Sequence, residues 1–139
     1  MSYTRVVLAA VGAMVVYFAL GGLFFTRASM RREFLKYATV YRSHEDMKAV
    51  MPIGMVGMFL SMLVLAVLYA MLYRGGSGLI EGTRFGALVG LYALGSFVLH
   101  NHVNLRIGTR LTLFQAVAYF IEWTAVGLAI GLIYRTPAG

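Results

Sequence analysis

Val6 to Phe25 reads VVLAAVGAMVVYFALGGLFF, 20 residues without a charge. A helix rises about 1.5 Å per residue, so a run of this length crosses the roughly 30 Å hydrocarbon layer of a bilayer. The run exceeds the apolar core of a secretory leader, and the residues after it, Thr26 to Arg32, are bulky and basic. It is therefore expected to remain as a membrane span rather than be cleaved. Working outward, three more apolar segments follow at about 51–73, 83–105 and 111–134. The chain, residues 1–139, thus reads as one membrane domain: an all-α integral membrane protein built as a four-transmembrane-helix bundle. Composition agrees, because 60% hydrophobic and 12% charged residues, with a mean hydropathy of +0.79, leave too little polar surface to cover a soluble domain of this size.

The connections carry the charge. Arg27, Arg31, Arg32, Lys36, Arg42 and Lys48 lie between the first two spans, and Arg106 and Arg110 between the last two, eight cations on one side. Arg5, Arg74, Arg84 and Arg135 make four on the other. The positive-inside rule then puts the 26–50 loop in the cytoplasm and both termini outside it. A net charge of +7 points to anionic lipid headgroups rather than nucleic acid as the partner of a chain this apolar. Within the loop, Met30, Phe34, Tyr37, Ala38 and Tyr41 recur at helical spacing, with Arg31, Arg32, Lys36 and Arg42 elsewhere around the wheel. This pattern predicts an interfacial amphipathic helix that binds anionic lipid or an acidic partner. Ser43 followed by Asp46 is a capping box, so the second span either starts there and runs through Pro52 or starts at Pro52 itself.

Small residues assign faces to the spans. At about 100° per residue, Gly82, Gly86, Ala93, Ser96, His100 and Asn104 share one stripe, which predicts the third span as the central helix. Gly54, Gly57 and Ser61 share a face of the second span, and Ala10, Ala13, Tyr17 and Gly21 a face of the first. Such seams let helices approach closely where lipid offers no hydrophobic drive to associate. The fourth span has two distinct faces. Gln115, Tyr119, Glu122, Val126 and Ala129 form one, and Phe120, Thr124, Gly127 and Gly131 the other. With Glu122 facing inward, Gly127 and Gly131 would meet a second copy or another membrane subunit, unless neighbouring helices of the same chain cover both faces.

Polar groups inside the spans are few. Glu122 stands roughly 18 Å from the start of its span, near the midplane, where it should be either protonated or paired and hydrogen-bonded. Equal depth on the other spans reaches Tyr17, Ser61 and Ser96, which predicts a shared midplane site for a proton or ligand. Closer to the basic side, His100, Asn104, Gln115 and Tyr119 are expected to form a hydrogen-bonded belt between the last two spans. His102 points about 200° away from His100 around the wheel, so the two imidazoles cannot share a metal, and the absence of cysteine removes thiolate sites, thiol catalysis and disulfides. No metal is expected. A lone inward His100 would allow haem or chlorophyll ligation, but a satisfied polar residue is the more frequent meaning.

Over its last 60 or so residues the chain resembles the small four-span bacterial inner-membrane families known only as domains of unknown function. The likeness rests on Gly82-Thr83-Arg84-Phe85-Gly86-Ala87-Leu88-Val89-Gly90, on Asn101 and Asn104, on Trp123, and on Gly21-Gly22 at the end of the first span. The resemblance implies a bacterial inner-membrane location and brings no activity. Small multidrug exporters also keep one membrane glutamate, but theirs is near the chain start. Microsomal glutathione-transferase-like proteins have a basic loop whose asparagine and glutamate pattern is missing from Arg42 to Lys48. No Ser-His-Asp arrangement, phosphate loop or pair of catalytic carboxylates is found elsewhere in the chain. The expected function is an accessory or scaffold subunit that self-associates or joins a membrane complex. The alternative is a small proton-coupled permease or lipophilic-ligand-binding protein using Glu122.

Overall fold

The structure, a computed structural model, describes residues 1–135. Helix α1 spans Tyr3–Phe25, the short α2 Ala28–Leu35, and α3 His44–Leu72. The third span, Gly78–Asn104, consists of α4 (Gly78–Ala93), a π-helical turn (Leu94–Leu99) and α5 (His100–Asn104), and α6 covers Thr109–Tyr134. Four helices are long and apolar enough to cross a membrane, which makes this a multi-pass helical membrane protein. Helix α3 begins at the capping box: Ser43 Oγ accepts a hydrogen bond from the Asp46 amide at 3.1 Å, and Pro52 lies inside the helix. Gly75, with φ +86°, supplies the left-handed residue that turns the chain from α3 into α4.

The central helix is α6, not the third span. One face of α6 packs along α4 and another along α1, while α3 packs mainly on α1 and touches α6 more lightly. The two faces seen in the sequence of α6 are the signature of this position. Toward the termini, Val6, Ala10, Ala13, Met62, Ala66, Val126 and Ile130 form a core of α1, α3 and α6, closed by stacked and edge-on rings of Tyr69, Tyr73, Phe85 and Tyr134. At the loop end Met30, Ile107, Leu111 and Ala118 form a second cluster.

The α4–α6 seam is built of glycine. A Cβ on Gly82 would lie 2.6 Å from Gly127 O, one on Gly86 2.6 Å from both Trp123 O and Thr124 O, and one on Gly131 2.7 Å from Gly82 Cα. No side chain fits between these backbones. The Gly127 and Gly131 face is therefore covered by α4 of the same chain and cannot receive another copy, contrary to the expected association surface. Their role in helix packing, together with Gly82 and Gly86, is internal.

The second departure comes from the π-helical turn. Down to Ala93 the buried stripe follows the α-helical wheel through Gly82, Gly86 and Gly90, but its next member is Val98, a five-residue step. One extra residue in a turn rotates everything beyond it by about 100°. Val98, His102 and Leu105 consequently turn toward the protein, and Ser96, His100 and Asn104 turn away and are exposed. Gly95, with open space around it, and Ser96, whose hydroxyl donates to Tyr92 O at 2.8 Å, sit in this turn and are the kind of pair that loosens a helical ladder.

Candidate functional site

Glu122 is the centre of the described polar groups. It lies near the middle of the 26-residue α6, is 0% exposed, and neither carboxyl oxygen has a hydrogen-bond partner among the described residues. The wheel put it inward and the structure agrees, because α1 covers this face: a Cβ on Gly21 would stand 2.8 Å from Glu122 Oε1. Gly21 thus makes the room that the carboxyl group occupies. Tyr17, one turn before Gly21 on α1, and Tyr119, three residues before Glu122 on α6, lie on the same sides of these helices as the carboxyl group. Tyr17 also packs on Trp123 at 5.3 Å between ring centroids, and Tyr119 is held between Phe25 (5.5 Å) and Phe97 (5.3 Å).

Of the four residues expected at the midplane, Glu122 and Tyr17 come together and Ser61 and Ser96 do not. Ser61 is exposed and donates to Gly57 O of its own helix at 3.0 Å, because the buried face of α3 is Met62, Ala66 and Tyr69. Ser96 is turned out by the π-helical segment. Equal depth fixes height along the membrane normal, not direction around the helix.

The belt also has other members than expected. Gln115 and Tyr119 line the inward face of α6, but His100 and Asn104 are exposed, with Asn104 Nδ2 donating to His100 O at 2.9 Å. The third span reaches α6 instead through His102, whose Nδ1 lies 2.8 Å from Thr112 Oγ1. The opposed directions of His100 and His102 hold, with the inward one reversed. Gln115, 4% exposed, reaches into the first loop, its Nε2 donating to Tyr41 OH at 3.4 Å while its Oε1 has no partner. Among the described residues no group of three or more His, Asp or Glu could hold a metal ion. Two shallow apolar grooves on the outer side of α6, one by Phe24 and Phe114 and one by Leu94 and Phe120, do not have Glu122 in their walls.

Sequence reasoning missed Glu33. Within the basic α2 it is buried, 4% exposed, and its Oε1 takes Lys36 Nζ at 2.7 Å and Arg110 Nε at 3.4 Å. A lone acid among Arg31, Arg32 and Lys36, one helical turn before Lys36, was the available signal. It locks α2 to the start of α6 and commits Lys36, one of the cations expected to bind anionic lipid. Arg31, Arg32 and Arg42 are exposed and in no ion pair among the described residues. Both cationic partners of Glu33 are more than half exposed, so screening limits the pair. Glu33→Ala should cost about 1–2 kcal/mol, less than a fully buried pair would. Limited trypsin digestion checks this: cleavage at Arg31, Arg32 and Lys36 should accelerate several-fold, and an unchanged rate would count against the lock.

The chain matches no family model, and no curated protein or solved structure matches it.

Proposed function

We propose that the protein is an accessory or scaffold subunit of a bacterial inner membrane that works by self-association, and that its contact surface is the outer face of the third span. The observation that carries this reading is the exposure of Tyr92, Ser96, His100 and Asn104, spaced four residues apart on a membrane-spanning helix. Ser96 and Asn104 each donate to a carbonyl of their own helix, so the reading rests on Tyr92 and His100, which make no side-chain hydrogen bond among the described residues and would find one in a protein partner, since acyl chains offer none. Over 12 residues this stripe is about 18 Å long by helical rise.

A second copy of the chain fits it best. Tyr, Ser, His and Asn are each donor and acceptor, and the stripe holds no acid and no Lys or Arg. A patch of that chemistry is complementary to itself, which is what a two-fold interface requires. Helix α4 lies at the edge of the bundle, beyond α6, so its outer side is accessible to a partner. In this reading the termini lie outside the cytoplasm, α2 lies at the inner surface, and Arg31, Arg32 and Arg42 meet anionic headgroups.

The test is a dilution series in liposomes with donor- and acceptor-labelled protein read by energy transfer. Replacing His100 and Asn104 together by Leu should weaken the dimer about tenfold, the equivalent of two interhelical hydrogen bonds at about 0.7 kcal/mol each. Transfer that stays at the random-encounter level in the unsubstituted protein would overturn the reading, as would transfer unaffected by the double substitution. Loss of transfer together with co-purification of a different membrane protein on the same face would point to a heteromeric partner.

A further inference from the structure

We propose that Glu122 is a proton-binding site served by a one-sided polar path that runs through Tyr119, Tyr41 and Gln115 to the 26–50 loop. It stands independently of self-association, since none of these residues lies on the outer face of the third span.

The path is a sequence of neighbouring polar groups. Tyr119 stands between Gln115 and Glu122 on the same face of α6, one turn from each, and packs on Phe25, which meets Phe34 and through it Tyr41. Tyr41 follows α2 in the loop, packs edge-on against Phe34 at 5.0 Å and accepts from Gln115 Nε2 at 3.4 Å. Gln115 stands two helical turns before Glu122 on the same face of α6. Two buried acceptor groups along this line, the Glu122 carboxyl and Gln115 Oε1, have no donor. Buried acceptors in folded proteins are satisfied, commonly by internal water, so in this proposal each of the two takes a water molecule, with the Tyr119 hydroxyl between them. Tyrosine hydroxyls, which both donate and accept, can relay a proton between such waters.

The other direction is closed. Beyond Glu122, α6 buries Val126 and Ile130 at 1% and 0% exposure, packed with Ala9, Ala10 and Ala13 of α1 and Met62 and Ala66 of α3. None of these side chains carries a hydrogen-bond donor, and the buried Tyr69 hydroxyl, also without a partner among the described residues, lies in the same core on the far side of this apolar layer. The titratable groups around Glu122 are Tyr17 on α1 and Tyr119 on α6, with Tyr41 beyond Tyr119 in the loop. No cation pairs with it among the described residues. An ionised carboxylate without donor or cation is costly at this depth, so the closed structure suits the neutral acid. A proton reaching Glu122 comes from water at the loop surface, forms one O–H bond on the carboxylate, and leaves by the same route.

Infrared spectroscopy of the full chain reconstituted in lipid tests this. The unsubstituted protein should show a protonated-carboxyl C=O band that Glu122→Gln removes, and the band should shift on transfer to D2O as the proton exchanges. Tyr41→Phe should slow that exchange about tenfold, a barrier increase of about 1.4 kcal/mol. Gln115→Leu interrupts the same path and gives the same slowing should Tyr41→Phe fold poorly. Tyr69→Phe, on the closed side, should leave the rate unchanged. Absence of a band removed by Glu122→Gln would overturn the proposal, and so would equal exchange rates in the unsubstituted protein, Tyr41→Phe and Gln115→Leu.

Discussion

Gly127→Leu is expected to leave no folded monomer, and Gly127→Ala to lower the melting temperature in detergent by about 10 °C. A methyl group on Gly127 would run into Gly86 Cα and N and come 2.6 Å from Gly82 O. These are helix backbone atoms, so relief requires α4 and α6 to separate along their whole seam. Overpacking in a well-packed core costs about 1–3 kcal/mol even where side chains can yield, and here none is available to move. Gly86→Ala should behave alike. Gly54→Ala and Gly57→Ala provide the contrast, because a Cβ at either position meets nothing within 4 Å. Alanine is favoured over glycine inside a helix by about 1 kcal/mol, so these two should be neutral or slightly stabilising. Gly127→Ala melting with the unsubstituted protein would mean that the seam is looser than the structure has it.

The glycines of this seam separate two roles that the sequence could not. A small-xxx-small pair reads identically whether its partner helix belongs to the same chain or to another, because only the local backbone approach is encoded. What distinguished the cases was α4, whose own glycines at 78, 82 and 86 match Gly127 and Gly131 in spacing. That complementarity was legible as two separate stripes, but pairing them required knowing that α4 and α6 are neighbours.

The four spans and the inward Glu122 were readable because each rests on local physics, apolar length or helical periodicity, whereas the capped start of α3 was one of two starts, at Ser43 or at Pro52, between which the sequence did not choose. The faces of the third span were readable only as far as Ala93. Beyond it every assignment was displaced by one or two residues, since a wheel at 100° per residue has no means of registering the π-helical turn at Gly95 and Ser96. The Gln115–Tyr41 contact joins residues 74 positions apart and leaves no periodic trace. Ser61 failed for a simpler reason: its hydroxyl is satisfied by Gly57 O within its own helix, so it has no need to face protein.

The rotated face is the basis of the proposed association, and disulfide cross-linking tests it most directly. The chain has no cysteine, so a dimer of this chain linked through a single introduced thiol joins the same position in two copies. Cα atoms must come within about 4.4–6.8 Å for a disulfide to close, a distance that residues near a two-fold axis satisfy and distant ones do not. Scanning Tyr92, Ser96, His100 and Asn104 as single Cys variants in native membranes should give at least one position that converts to dimer under mild oxidation. Ala93→Cys, buried against α6, and Val117→Cys, exposed on α6, should stay monomeric. Dimer at a stripe position with neither control reacting is the result the proposed association predicts. Failure of all four stripe positions, or dimer forming as readily through Ala93→Cys, would contradict it.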